Sequence, residues 1–371
     1  MNFDFSDEAK LLRDEAGRLL RAESSPAAVR RVLEGAAPYD AALWQRIAGL
    51  QWLGSQVPEA LGVAGLGYEG LCVLAEQVGR FLAPVPFASS VYLATEAILL
   101  AGSEEQKRRL LPDLASGKRI GTLALAEGPG NPHPSGIRAA VTRGKLSGVK
   151  FPVPDGSIAH LAVAAAREEG GGIGLYVVEL AGAGVARRTL KTVDPTRDHA
   201  RLEFQAAPAE PLGRPGTGWD ALRRVLDRAA VLVAFEQVGG AQACLDMARA
   251  YAMERYAFGR PIGSFQAIKH KLADVYIAVE LARSNAMYGA WALAADGPEL
   301  PVAAAAARVS ATDAFHLAAK ENIQTHGGMG FTWESDCHLY YRRAKHLALT
   351  LGSAPYWKDR LISELEERQA V

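Results

Sequence analysis

From Gly216 almost to Val371 the chain keeps a helical hydrophobic period, in segments of roughly 20 to 40 residues parted by Pro261, Pro301 and a glycine turn at 327–330. Amphipathic helices of that length cannot bury their apolar faces alone, so an antiparallel helical bundle is the expected result. Between Gly121 and about Pro215 the texture differs. Short apolar or alternating runs at 122–126, 145–153, 158–165, 175–180 and 202–204 are separated by Gly, Pro and Asp, which predicts a small, mostly antiparallel β domain. The stretch 170–174, with glycines at 170, 171, 172 and 174, reads as a hairpin loop, because no G-x-G-x-x-G leads into a helix there.

The part before Gly117 is helical again. Leu11, Leu12, Ala16, Leu19 and Leu20 recur on one predicted face, and Ser6 ahead of Asp7 and Glu8 has the makings of an N-cap with acids in the first turn. Ser103 and Gln106 form an S-x-x-Q capping box, with Glu104 and Glu105 between them, opening a segment that runs through Leu110 and Leu111 to a stop at Gly117. The expected class is α+β, divided into a helical domain at 1–118, a central β domain at 119–214 and a helical bundle at 215–371.

The length of 371 residues allows ordinary packed cores. The 41 basic and 41 acidic residues cancel, so neither nucleic acid nor an anionic membrane is an expected partner, and any anion must be held locally. Cys72, Cys244 and Cys337 lie far apart without a C-x-x-C pair, and the eight histidines show no H-E-x-x-H spacing. Neither a disulfide framework nor a metal site is expected. Acidic residues stand near the N-terminus where a signal peptide needs basic ones, and no apolar run reaches the ~18 residues of a membrane span. A cytoplasmic location fits these features.

Two local sequences carry the functional signal: Arg255-Tyr256-Ala257-Phe258-Gly259-Arg260-Pro261-Ile262 followed by Gln266, and Gln324-Thr325-His326-Gly327-Gly328-Met329-Gly330. The first resembles the R-x-x-F-G-x-x-I stretch and following Gln of the acyl-CoA dehydrogenases, and the second resembles their Q-x-x-G-G-x-G turn. The segments Trp52-Leu53-Gly54 with Pro58, Gly102 to Lys107, and Ala273-Asp274 agree with the same family. The resemblance implies an N-terminal helical domain, a central β domain and a C-terminal four-helix bundle through which subunits pair. It also implies FAD as cofactor and an acyl-CoA substrate that loses hydrogens from Cα and Cβ. Arg255 offers a planar fork of donors for the FAD diphosphate, Phe258 an aromatic wall near the adenine, and Gln266 and Gln324 amides for the nucleotide. Gly327 and Gly328 let backbone N–H groups approach an oxygen-rich group closely. In the family these elements reach the FAD lodged mainly in the neighbouring subunit.

The chain also departs from the family. Removal of the α-proton needs a poised base, and most members place a Glu before Gly-Thr some two dozen residues beyond the glycine turn. The matching residue here is Leu351, followed by Gly352 and Ser353; it can present a backbone N–H to the thioester oxygen but cannot take a proton. A minority carry the base on the first bundle helix, where this chain has Ala229 followed by Ala230. Asp227 and Glu236 are nearby carboxylates, with Glu236 two turns along at about 10 Å. On the flavin-ring side, Pro152 and Pro154 stand where the family has an aromatic residue and a Thr, and a Gly- and Pro-rich run at 128–134 follows Glu127. The catalytic residue is therefore left unassigned. Three readings stay open: a subunit working with a catalytic homologue, a self-sufficient homodimeric or tetrameric enzyme with an unconventional base, or a non-enzymatic nucleotide- or protein-binding descendant.

Overall fold

The computed structural model describes residues 5–61 and 65–369. Helices come first: α1 (Asp7–Glu23), α2 (Pro26–Leu33), α3 (Ala41–Gly49), α4 (Gly67–Arg80), α5 (Glu96–Ala101), which continues a π-helical stretch Ala88–Thr95, and α6 (Glu104–Ala115). Strands follow: β1 (Gly121–Ala124), β2 (Ala140–Thr142), β3 (Lys145–Pro154), β4 (Leu161–Arg167), β5 (Ile173–Glu179), β6 (Val185–Thr189), β7 (His199–Pro208) and β8 (Glu210–Leu212). Then come α7 (Gly218–Glu254), a small hairpin of β9 (Tyr256–Ala257) and β10 (Arg260–Pro261), α8 (Gln266–Ala295), α9 (Leu300–His326), α10 (Cys337–Leu349) and α11 (Ala354–Gln369). The order is helical, β, helical, as the sequence texture predicts.

Local signals act as expected where they are short-range. The Ser6 hydroxyl accepts from the Ala9 N–H at 3.2 Å, capping α1. At α6 the Ser103 hydroxyl accepts from the Gln106 N–H at 3.2 Å, while the Gln106 amide oxygen accepts from the Ser103 N–H at 3.0 Å. Two of the four orphan donors at that helix start are thereby satisfied. Leu11 differs from expectation: it is 66% exposed, because it lies about 200° round the helix from Ala9, which shares the buried face with Ala16 and Leu20.

Residues 30–61, 65–67 and 84–229 form one compact unit, built on a sheet of order β6-β7-β3-β2-β4-β5-β8, with β1 also on β4. Most pairings are antiparallel; β1 and β2 run parallel to β4. The register Leu161↔Glu179 through Arg167↔Ile173 joins β4 to β5, so residues 168–172 are the hairpin loop. Leu161 to Ala166 are buried throughout, which is why that strand is a continuous apolar run instead of an alternating one. It starts at Leu161, later than the expected 158, because the N–H groups of Ile158 and Ala159 turn back to the Asp155 carbonyl. The edge strand β6 carries Arg187 and Arg188, and charge of this kind blunts an exposed edge.

Residues 5–29, 68–83 and 230–369 form the second compact unit. Here α4 and α7 touch backbone to backbone. A Cβ on Gly79 would lie 1.8 Å from the Glu236 carbonyl oxygen, and one on Gly239 would lie 1.9 Å from that of Glu76. Only glycine fits either position. No helix among the described residues is long and apolar enough to cross a membrane.

Candidate functional site

The first motif folds as a hairpin between α7 and α8. Arg260 pairs with Ala257, leaving Phe258 (φ 53°) and Gly259 (φ 76°) as a two-residue turn with both residues left-handed, the type I′ geometry that suits a hairpin twist. Glycine takes that conformation freely, whereas a bulky residue in it costs of order 1–3 kcal/mol. Phe258 bears this strain and is also 96% exposed, its ring meeting that of Phe265 edge-on, with centroids 6.3 Å apart. Arg260 lies over the Phe265 ring at 4.0 Å. Arg255 is exposed at the base of the hairpin, its carbonyl accepting from the Ile262 N–H at 2.8 Å. Gln266 is the first residue of α8 and is exposed; the N–H groups of Ile268 and Lys269 bond the Phe265 carbonyl, and no side chain caps this positive end of a 30-residue helix among the described residues.

The second motif closes α9. Gln324 is exposed in the last turn, and its carbonyl accepts from the N–H of Gly327, which sits at φ 61°, ψ −138°, a region open to glycine alone. A Cβ on Gly328 would meet nothing within 4 Å, so packing within the chain does not demand glycine there. Gly330 is different: its Cβ would lie 2.6 Å from the Ile323 carbonyl oxygen. The structure brings the two motifs together through Tyr251 of α7 and His326 of α9, whose rings stack at 4.2 Å and 27°. Arg255 hangs from the same turn, its N–H bonded to the Tyr251 carbonyl at 2.8 Å.

The segment expected to face a flavin ring is committed to internal contacts. The Lys150 ammonium is buried and bonds the Leu125 carbonyl at 3.1 Å and the Glu127 carboxylate at 2.7 Å. Burial holds its pKa below the ordinary lysine range, while the Glu127 partner pulls the other way. Glu127 also accepts from the N–H groups of Arg138 and Ala139, at 2.8 and 3.0 Å. Pro152 follows a cis bond, and neither it nor Pro154 has an N–H to offer. Asp155, next in line, is buried and accepts from the Ser89 hydroxyl at 2.6 Å; burial raises its carboxyl above the usual range, opposed by Ser89 and Arg197.

At the two positions where a base was sought, the structure places apolar side chains. Leu351 lies in the turn after α10 at φ 65°, followed by Gly352 at φ 112°. Ala229 and Ala230 are fully buried in α7. Asp227 is 4% exposed and Glu236 is wholly buried, facing Arg343. The hairpin turn at Phe258 and the Tyr251–His326 stack escaped the sequence reading; the Phe-Gly pair between two short extended dipeptides is the signal that could have revealed the former.

Comparison with known proteins gives a consistent family. The sequence profile of the acyl-CoA dehydrogenase N-terminal domain matches residues 6–118, and that of the acyl-CoA dehydrogenase C-terminal domain matches residues 216–360. Acyl-CoA dehydrogenase IpdE2 of Mycobacterium tuberculosis is 35% identical over 366 residues, covering 97% of this chain and 98% of the relative. Among solved structures, a variant of the Tcur3481-Tcur3483 steroid ACAD is 33% identical with a TM-score of 0.89, covering 98% of this chain and 99% of its own. The ChsE4-ChsE5 complex from Mycobacterium tuberculosis is 30% identical with a TM-score of 0.90, covering 99% of each chain.

Proposed function

The chain belongs to the acyl-CoA dehydrogenase family, and from that premise we propose that it is a subunit working with a catalytic homologue, to whose FAD it lends the nucleotide-binding half of the site. Enzymes of this family remove hydrogens from Cα and Cβ of an acyl-CoA thioester; FAD, when bound, takes the hydride. The observation that carries the reading is the contrast between the two halves. The nucleotide side fits a dinucleotide: Arg255, Phe258 and Gln266 stand exposed on one hairpin and helix start, Gln324 is exposed in the last turn of α9, and Gly328 leaves room for close approach. The ring side does not fit equally well. Glu127 is occupied by Lys150 and two backbone N–H groups, and Pro152 and Pro154 provide no donor.

Leu351 completes the argument. It leaves the usual base position without a proton acceptor, and Ala229 does the same at the alternative position. What Leu351 retains is its backbone N–H, a donor for the thioester carbonyl oxygen. The subunit would hold that oxygen without removing the α-proton. The resemblance to a solved two-component complex supports a heteromer, with pairing through the helical bundle. The division at 1–118, 119–214 and 215–371 is proposed on the confinement of the larger sheet to residues 121–212.

The test is purification of the chain alone and together with a homologue that has Glu at the position of Leu351, measuring FAD per chain and acyl-CoA-dependent dye reduction. Turnover by the pair and none by the chain alone is expected. Full FAD occupancy and turnover by the chain alone would overturn the reading in favour of a self-sufficient enzyme. FAD binding by neither preparation would favour a non-enzymatic descendant.

A further inference from the structure

Arg308, in the middle of α9, is 1% exposed, and among the described residues no carboxylate is a hydrogen-bond partner of it. Its Nη1 donates to the Gln237 amide oxygen at 2.6 Å and to the Thr312 hydroxyl; its Nη2 donates to the Leu347 carbonyl and, at 2.8 Å, to the Thr350 carbonyl. Burial draws the guanidinium down from its ordinary range to about 9. A desolvated cation facing only neutral acceptors is costly, so its retention calls for a compensating role. Part of the compensation is plain: the carbonyls it binds are the last ones of α10, at the negative end of that helix.

The other part follows from which peptide unit is held. The Thr350 carbonyl and the Leu351 N–H belong to one planar trans peptide, so a donor fixed on the oxygen fixes the opposite direction of the N–H. Withdrawing electrons through the carbonyl also makes that N–H a stronger donor. The neighbouring N–H groups are used internally, that of Thr350 on the His346 and Leu347 carbonyls and that of Gly352 on the Leu349 carbonyl. Among the described residues the Leu351 N–H has no acceptor. Leu351 itself is left-handed at φ 65°, a conformation a leucine does not choose unaided.

We propose that Arg308 is a positioning residue that, by holding the Leu347 and Thr350 carbonyls, sets the turn at Leu351 and aims the Leu351 N–H at the carbonyl oxygen of an acyl thioester. This rests on the reading of Leu351 given above. It does not depend on where the base resides, because orienting a carbonyl oxygen and removing an α-proton are separate tasks.

The test compares hexanoyl-CoA with its thioether, hexyl-CoA, which lacks only the carbonyl oxygen, by titration calorimetry on the full chain in the oligomer in which it purifies. The wild type is expected to prefer the thioester roughly three- to tenfold, the worth of one hydrogen bond. In Arg308→Gln the preference should fall to about one while affinity for hexyl-CoA stays unchanged, a pattern that general loosening of the fold would not produce. If Arg308→Gln does not fold, Arg308→Lys keeps the charge but not the forked geometry and should lose at least half of the preference. Equal loss of both affinities, or a full preference retained in Arg308→Lys, would overturn the proposal. So would a wild type that binds neither compound or both equally. The partner-subunit reading is decided separately, by FAD content and turnover with the homologue, and can survive any of these results.

Discussion

Glu236 on α7 and Arg343 on α10 face each other at 3.3 Å with 0% and 1% of their side chains exposed. On the reading proposed above the base is missing at Leu351, and a carboxylate buried against a cation in this way does not replace it. Replacing one member of a buried pair leaves the other charge stranded, at a typical cost of about 3–5 kcal/mol. Glu236→Gln is therefore expected to lower stability by about that amount in a denaturant melt. A Glu236→Gln protein of normal stability but with activity lost in the complex would instead identify Glu236 as catalytic.

Arg255 makes its exposed fork of donors available beside the strained Phe258 turn, and its hydrogen bonds among the described residues are backbone ones. Arg255→Ala should leave the melting temperature nearly unchanged and weaken FAD binding in the complex roughly ten- to hundredfold, as expected for loss of one charge-assisted phosphate contact. Fluorescence titration of the apoprotein with FAD measures it. Unchanged affinity would reduce the motif to a structural role.

The Tyr251–His326 stack joins the turn that precedes Arg255 to the turn that precedes Gly327. Loss of an aromatic pair of this kind costs about 0.5–1.5 kcal/mol beyond buried area. Tyr251→Ala should thus weaken FAD binding by several-fold without either residue being a ligand, and Tyr251→Phe, which keeps the stack, should not. Equal affinities for the wild type and Tyr251→Ala would show that the two motifs hold their geometry independently.

How far the sequence could be read depended on the range over which each interaction acts. The helix caps and the breaks between bundle helices rest on neighbours within a few positions, and Ser103 with Gln106 behaves as its spacing predicts. Both local motifs were visible as strings of residues. Their proximity was not, because it passes through Tyr251 and His326, far apart in the chain and unremarkable on their own helices. Gly79 and Gly239 look like weak points in helices until the α4–α7 contact makes them obligatory. Edge strand β6 was missed because Arg187 and Arg188, useful on an open edge, erase the apolar run that signals a strand. Arg308 lay beyond reach for a similar reason: one Arg in an alanine-rich helix reads as solvated, and the carbonyls it binds lie 39 and 42 positions further on.

The purified chain alone is expected to show FAD content well below one per chain and no rapid dehydrogenation of any acyl-CoA. A positioned base typically contributes ~10² to 10⁴ in rate, and neither Leu351 nor Ala229 can act as one. The ring-side segment adds to the loss, because Lys150 and Glu127 bind each other and the two prolines offer no hydrogen-bond donor to hold a flavin at near-attack distance. Leu351→Glu by itself should therefore restore little. Restored activity in Leu351→Glu with added FAD would show that the ring-side pocket is sound and that the base alone is missing. The wild-type measurement carries more weight: rapid turnover by the isolated chain, abolished by Asp227→Asn at unchanged stability, would identify Asp227 as an unconventional base. Dye reduction that appears only on mixing with a Glu-bearing homologue, and that Arg255→Ala in this chain diminishes, is the outcome expected of a subunit that supplies the nucleotide half of a shared site.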